Sequence, residues 1–109
     1  MDFLVYESGL DKHMPPVEIG AAALVFGRTE VSDVLIASPF VSGRHFKISS
    51  SDGQYRITDM DSSNGTFLRR THADELEKLE STEVILNSGD RIVLTTQGKG
   101  EDIVFCLHT

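Results

Sequence analysis

The chain has 109 residues, of which 39% are hydrophobic and 25% are charged, and this balance is typical of one globular domain with a single core. The formal net charge of −7 argues against non-specific nucleic-acid binding, which depends on clustered Lys and Arg. No window approaches the roughly 20 apolar residues that a membrane-spanning helix needs, and residues 1–12 do not have the pattern of a secretory signal.

Short β-strands dominate the predicted elements. Turn signals rich in Gly, Pro, Asn and Asp separate runs with period-two alternation or β-branched residues. In the clearest alternating run, Tyr55 and Ile57 are expected to face the core. Many short, closely spaced strands indicate an antiparallel sandwich or barrel. The predicted strands cover residues 3–7, 18–20, 22–26, 33–36, 44–49, 54–60, 65–68, 83–85, 91–95 and 102–108.

One acidic segment departs from this pattern. Ala73, Leu76 and Leu79 have helical spacing, and Thr71 precedes them as a candidate helix cap. The sequence therefore predicts a short helical insertion near residues 72–80.

The single cysteine, Cys106, lies in a predicted strand among apolar neighbours. We expect it to be a buried structural residue rather than a reactive thiol. A protein that cannot form an internal disulfide is compatible with a reducing compartment, so we expect an intracellular location, cytoplasmic or nuclear.

The first loop motif is Gly27-Arg28, directly after an apolar run. A glycine at a strand end permits a turn that other residues resist, and the forked donors of Arg suit two phosphate oxygens at once. By itself the pair is a weak signal, because an exposed loop Arg is usually only solvated.

The second motif, residues 41–45, places the Ser42 hydroxyl, the Gly43 backbone, the Arg44 cation and His45 in one short segment. A Ser with a His also suggests a catalytic nucleophile, but no orienting third residue accompanies them. We favour a His45 that hydrogen-bonds to backbone groups and braces neighbouring loops.

The third motif, residues 59–66, contains Ser63-Asn64-Gly65-Thr66. Its simplest interpretation is a hairpin turn, because Asn-Gly accepts positive φ at both central positions. A tight turn also presents rigid donors, among them the Ser63 hydroxyl and the Asn64 amide. The two interpretations are compatible.

These motifs, followed by Gly89-Asp90 before a strand, have the order and approximate spacing of the forkhead-associated (FHA) domain, which this protein resembles over about residues 21–107. The resemblance implies an all-β, eleven-stranded antiparallel sandwich forming a single domain over residues 1–109. It also implies a phosphothreonine-binding signalling adaptor that recognises a partner protein through loops at one end, and neither an enzyme nor a cofactor- or metal-binding protein.

By the resemblance, Arg28 binds phosphate oxygens, Ser42 adds a hydroxyl donor, and Ser63 and Asn64 hold the phosphate neighbourhood and the peptide backbone. The loop-shaping residues are Gly27, His45, Gly65 and Thr66. We add the Gly43 backbone and the Arg44 cation to the phosphopeptide-binding set. At two positions, Gly43 and Arg69, the sequence departs from the common family pattern, and the acidic stretch between Arg70 and Gly89 looks longer than is usual in the family. We favour a tolerated loop insertion there over a partner-specific surface, because lengthening a surface loop costs little.

Arg69 stands where the family often has Asn. Our hypothesis is that Arg69 and Arg70 favour acidic residues flanking the phosphothreonine. Gly43 stands where many relatives have a longer polar or basic side chain, so a ligand contact there is absent or made by the backbone.

Two other classes of function stay open. A phosphorylation-independent interaction module of the same fold would use a sheet face or the acidic insertion. Catalysis is disfavoured, because His13, His45, His72 and His108 are scattered rather than spaced as metal ligands. Neither a nucleic acid nor a membrane is expected as a partner. The length fits both a whole protein and a domain fused to others in a longer parent protein.

Overall fold

The computed structural model describes all 109 residues and contains strands but no helix, and hence no helix suited to crossing a membrane. Eleven strands were anticipated from the resemblance, and eleven are present. They are β1 (Asp2–Ser8), β2 (Val17–Ile19), β3 (Leu24–Gly27), β4 (Val34–Leu35), β5 (Phe46–Ser51), β6 (Gln54–Asp59), β7 (Thr66–Arg69), β8 (Glu77–Lys78), β9 (Val84–Leu86), β10 (Arg91–Leu94) and β11 (Ile103–His108).

The strands form two sheets. The six-stranded sheet has the order β2-β1-β11-β10-β7-β8, and the five-stranded sheet has the order β4-β3-β5-β6-β9. All strand pairs are antiparallel except β3 and β4, which run parallel. The predicted β-sandwich is confirmed, with this one parallel pair as a local exception at the edge of the smaller sheet.

The core lies between the sheets, as alternation along each strand requires. Phe26 and Phe46 are opposite one another on β3 and β5, and their rings stack with centroids 4.6 Å apart. Ile57 is fully buried and Tyr55 packs partly buried against the core, so the predicted inward face of β6 is confirmed. Cys106 is also buried, and this burial raises the pKa of its thiol.

The predicted helix near residues 72–80 is wrong. The segment contains turns and the short strand β8, which pairs with β7. Of the three apolar residues with helical spacing, Ala73 and Leu76 are exposed, and only Leu79 is buried. A helix of this length needs a packed face to be stable in water. Because one leucine supplies no such face, pairing with β7 determines the structure.

Asn64-Gly65 is not a hairpin turn either. β6 and β7 belong to different sheets, so the segment between them crosses from one sheet to the other. Only Gly65 of the pair has a positive φ, at 86°. A two-residue hairpin does occur at Asp52-Gly53, where both residues have positive φ and Ser51 pairs with Gln54.

One end of the sandwich is held by an ion pair between a buried carboxylate and a partly exposed arginine. Asp90 is 2% exposed, and its carboxylate accepts hydrogen bonds from Arg70 Nη1 at 2.7 Å and from the backbone N–H of Asn87 at 2.9 Å. Thr71, the predicted helix cap, instead donates its backbone N–H to the same carboxylate at 3.2 Å. The Gly89-Asp90 motif is therefore structural.

Four loops meet at the opposite end, which we call the site rim. Hydrogen bonds between backbone and side-chain groups join each of them to at least one other. The loops are β3–β4 (residues 28–33), β4–β5 (36–45), β6–β7 (60–65) and β10–β11 (95–102).

Candidate functional site

Gly27 ends β3 where the β4–β5 loop passes very close. A Cβ atom at residue 27 would overlap the carbonyl oxygen of Gly43 and the hydroxyl of Ser32. The Ser32 hydroxyl donates to that same carbonyl at 2.6 Å, and the Thr29 hydroxyl donates to it at 3.1 Å. Glycine at position 27 therefore lets the two loops pack together and fixes the position of the residue that follows.

Arg28 is anchored along the neighbouring loop. Its backbone N–H donates to the Ser42 carbonyl at 3.0 Å, and its Nε donates to the Val41 carbonyl at 2.9 Å. A guanidinium has five N–H donors, so the anchoring bond leaves both terminal nitrogens available on an exposed side chain. Arg28 thus presents a pre-positioned cation beside Ser42.

Ser42 joins the β4–β5 loop to the β6–β7 loop. The backbone N–H of Ser63 donates to the Ser42 hydroxyl oxygen at 2.9 Å. Because that oxygen accepts, the hydroxyl proton of Ser42 remains free to be donated outward. Ser63 itself has an exposed side chain.

His45 is fully buried and bridges the same two loops. Its Nδ1 accepts the backbone N–H of Ser42 at 3.0 Å, so the proton of the neutral ring is on Nε2, which donates to the Gly65 carbonyl at 3.0 Å. Burial lowers the pKa of the imidazole from its usual 6.5, outweighing the hydrogen bond with Gly65 and the charge of Asp59. Neither nitrogen is free to activate a nucleophile.

Asp59 organises the start of the β6–β7 loop. Its carboxylate accepts from the Ser62 hydroxyl at 2.5 Å, the Ser62 N–H at 3.2 Å and the buried Thr66 hydroxyl at 2.6 Å. Sequence reasoning missed this role of Asp59. The signal was an Asp followed three residues later by Ser, a spacing typical of local side-chain-to-backbone turns.

Asn64 connects three loops through its carboxamide. Its Nδ2 donates to the Phe40 carbonyl at 2.9 Å, and its Oδ1 accepts from Gln97 Nε2 at 3.0 Å. Gln97 was also missed by sequence reasoning, which identified only the following Gly-Lys-Gly as a turn. No local pattern could reveal it, because its partner is 33 residues away.

The family model of the FHA domain matches residues 24–95 of the chain. These residues include three loops of the site rim and the first residue of the fourth, the β10–β11 loop. The chain belongs to the FHA domain family. The match starts at the first residue of β3 and ends just after β10.

Solved FHA domains share the fold of this one. The FHA domain of a Chlamydia trachomatis protein has a TM-score of 0.77 and 21% identity, covering 99% of this chain and 96% of that chain. An FHA domain from Arabidopsis thaliana has a TM-score of 0.76 and 25% identity, covering 98% of this chain and 83% of that one. An N-terminal FHA domain from S. cerevisiae was solved in complex with a phosphothreonine peptide. It has a TM-score of 0.76 and 20% identity, covering 98% of this chain and 91% of that chain. No curated protein matches the sequence.

Arg69 is not part of the rim in this FHA domain. Thr66 pairs with Leu94 at the rim end of β7, whereas Arg69 pairs with Arg91 at the other end. Arg69 lies three residues further along this extended strand than Thr66, a distance of about 10 Å. Arg70 follows at that far end and is engaged with Asp90. The structure therefore does not bring this arginine pair to the other candidate residues.

The rim of this FHA domain is suited to an oxyanion. Arg28 and Arg44 are exposed cations on adjacent loops, and neither enters any of the three ion pairs within the protein. The Ser42 hydroxyl lies on the second of these loops and is hydrogen-bonded to Ser63, which precedes Asn64 on a third loop. Such an arrangement offers charged and neutral hydrogen-bond donors from three segments that are distant in sequence.

Proposed function

We propose that this FHA domain is a signalling adaptor module that binds a phosphothreonine-containing segment of a partner protein at the site rim. One observation carries the proposal: Arg28, Ser42 and Ser63 are linked in series by hydrogen bonds, and donors on them remain unused within the domain. Membership of the FHA family and the fold shared with the S. cerevisiae domain solved with a phosphothreonine peptide support it.

The chemistry of the ligand matches these donors. A phosphothreonine carries roughly −1.5 to −2 charges near neutral pH and three acceptor oxygens. The two terminal nitrogens of Arg28 suit two oxygens, and the Ser42 hydroxyl suits the third. Hydrogen bonds to a charged group contribute about 1.5–3 kcal/mol each, from which several kcal/mol of association cost must be subtracted. We therefore expect modest, reversible binding.

Anchoring of the site before binding favours affinity. A flexible arginine loses about 2 kcal/mol of rotamer entropy when it is immobilised. The bond from Arg28 Nε to the Val41 carbonyl has already restricted this side chain in the free domain. The buried His45 likewise fixes the loop carrying Ser42. The ligand thus meets donors that need little further ordering.

Around the phosphate, we assign the remaining contacts by position. Asn64 holds the peptide backbone with the donor and acceptor capacity that its loop contacts leave free. Gly43 supplies a backbone N–H, and Arg44 supplies a second positive charge on the same loop. Gly27, Gly65 and Thr66 shape the loops and do not contact the ligand.

We further propose that residues 1–109 act as one domain, by binding rather than by catalysis, and that the domain functions inside the cell. Both nitrogens of His45 are engaged by backbone groups, which removes the best candidate for a general base. Cys106 is an unpaired, buried thiol, as is usual in reducing compartments.

The test is a titration of the domain with peptides from a degenerate library. The peptides are matched except at one position, which holds phosphothreonine, phosphoserine or plain threonine. We expect selective binding of the phosphothreonine form. Arg28→Ala should abolish this binding, whereas Arg56→Ala should not, because the Arg56 side chain donates only within the β5–β6 hairpin, to Ser51 and Gln54. Equal binding of phosphorylated and plain peptides would instead indicate a phosphorylation-independent interaction module.

A further inference from the structure

Gln97 has a backbone conformation that its residue type disfavours. The Lys99 N–H donates to the Thr96 carbonyl at 3.1 Å, closing a turn whose central residues, Gln97 and Gly98, have φ of 56° and 80°. Two positive φ values define a turn in which Asn, Asp and Gly are strongly preferred at the first central position. Gln at that position is therefore an outlier that calls for a reason.

The side chain of Gln97 supplies that reason. Its Nε2 donates at 3.0 Å to Oδ1 of Asn64, which lies on a different loop. Asn would suit the turn better, but its side chain is one methylene shorter. The observed residue thus combines an unfavourable backbone conformation with a contact that requires its length.

The contact fixes the orientation of the Asn64 carboxamide. Phe40 accepts from Nδ2 and Gln97 donates to Oδ1, so both ends are assigned and a flipped amide would lose both bonds. An amide oxygen has two lone pairs and an amide nitrogen has two protons. One acceptor site and one donor therefore remain, and together they complement the N–H and the carbonyl of a peptide backbone.

We propose that Gln97 is a positioning residue for phosphopeptide binding, which acts by holding the Asn64 carboxamide ready for the backbone of the ligand. The inference rests on the proposed function, since it assigns a role only if Asn64 contacts a bound peptide. Without Gln97, Asn64 keeps one anchor, at Phe40, and must be ordered when the peptide binds. Ordering a group on binding lowers affinity.

The turn itself does not depend on the Gln97 side chain. The Thr96 hydroxyl donates to the Gly100 carbonyl at 2.6 Å, and the Thr96 N–H donates to Asp102 at 3.2 Å. The Gln97 backbone N–H donates to the Thr95 hydroxyl at 2.9 Å. A substitution at position 97 therefore leaves the turn in place and removes only the bond to Asn64.

Gln97→Asn separates the backbone role of residue 97 from its side-chain role. Asn suits the turn better than Gln, but its shorter side chain does not reach Asn64. We expect the variant to unfold at the same or a higher temperature than the parent and to bind a library-selected phosphothreonine peptide roughly three- to tenfold more weakly, the loss of about one hydrogen bond. Gln54→Asn, the same substitution at an exposed residue that starts β6 at the end away from the rim, is the control and should bind as the parent does. Unchanged or tighter binding by Gln97→Asn overturns the proposal.

Two further readouts show whether Gln97 acts through Asn64. In a double-mutant cycle, Gln97→Asn should lose its effect in an Asn64→Ala background, and an undiminished effect there overturns the proposal. In the free domain, the side-chain ¹⁵N–¹H signals of Asn64 should shift in Gln97→Asn and not in Gln54→Asn. Unmoved Asn64 signals in Gln97→Asn contradict the proposal even if Asn64→Ala binds too weakly to measure. A parent domain that binds no phosphothreonine peptide would refute the proposed function itself, which distinguishes the two failures.

Discussion

Replacing His45 with alanine tests how strongly the site rim is braced. The imidazole is fully buried, and both of its nitrogens hydrogen-bond to the backbone, at Ser42 and at Gly65. His45→Ala leaves that N–H and that carbonyl without partners. Each unsatisfied buried group costs about 1–3 kcal/mol, so the expected loss in the free energy of unfolding is about 2–6 kcal/mol. This is a large share of the roughly 5–15 kcal/mol that stabilises a typical domain.

Urea denaturation measures the loss directly. We expect the unfolding midpoint of His45→Ala to fall with little change in the slope of free energy against urea, since the variant exposes about the same surface on unfolding. His72→Ala is the matched control, because His72 is exposed and lies far from the rim. A His45→Ala midpoint equal to that of His72→Ala would refute the bracing role.

Three other predictions concern the pH dependence of stability, the packing of the loops at Gly27, and Arg69, which lies away from the rim. Because burial lowers the pKa of His45 below 6.5, the unfolded protein takes up a proton at this residue before the folded protein does as the pH falls. The free energy of unfolding therefore decreases below pH 6.5 until the folded-state pKa is reached. Urea titrations at several pH values should show a steeper decrease of this free energy for the parent than for His45→Gln. Gly27→Ala forces a methyl group against the backbone of Gly43, and should lower the melting temperature and weaken phosphopeptide binding together, as calorimetry can measure. Arg69→Ala should leave phosphopeptide affinity within about twofold of the parent, because Arg69 lies about 10 Å from the rim end of β7 and charges more than about 8 Å apart are largely screened at physiological salt.

The regular strands and the order of the motifs were predictable because both depend on residues that are close together in the sequence. The alternation at Tyr55 and Ile57 reports one buried face, and Asp52-Gly53 specifies a tight hairpin by its backbone preferences. The four motifs in series identified the family, which supplied the two-sheet arrangement that no local pattern contains.

The errors arose where tertiary contacts decide the local structure. The helical spacing of Ala73, Leu76 and Leu79 was misleading, since only Leu79 reaches the core and β8 pairs with β7 instead. Asn64-Gly65 has the composition of a hairpin turn, yet the backbone passes from one sheet to the other at that point.

The candidate site was predicted unevenly for a related reason. Arg28 and Ser42 could be named from motifs, but their hydrogen-bonded link depends on the approach of two loops at Gly27. Gln97 acts on a residue that only the fold brings near, whereas the contacts of Asp59 with Ser62 and Thr66 are local, and their sequence signal was overlooked. The Arg69 hypothesis did not take account of the length of β7, which carries this residue away from the rim.

The most direct measurement is a backbone amide NMR titration with one peptide in its phosphothreonine and its plain threonine form. We predict that only the phosphorylated form perturbs the signals, and that the largest changes cluster at Arg28, Ser42 and Ser63. Equal perturbations by both peptides, centred on residues 76–85 rather than on the rim, would contradict the assignment of the site rim as the phosphate-binding surface.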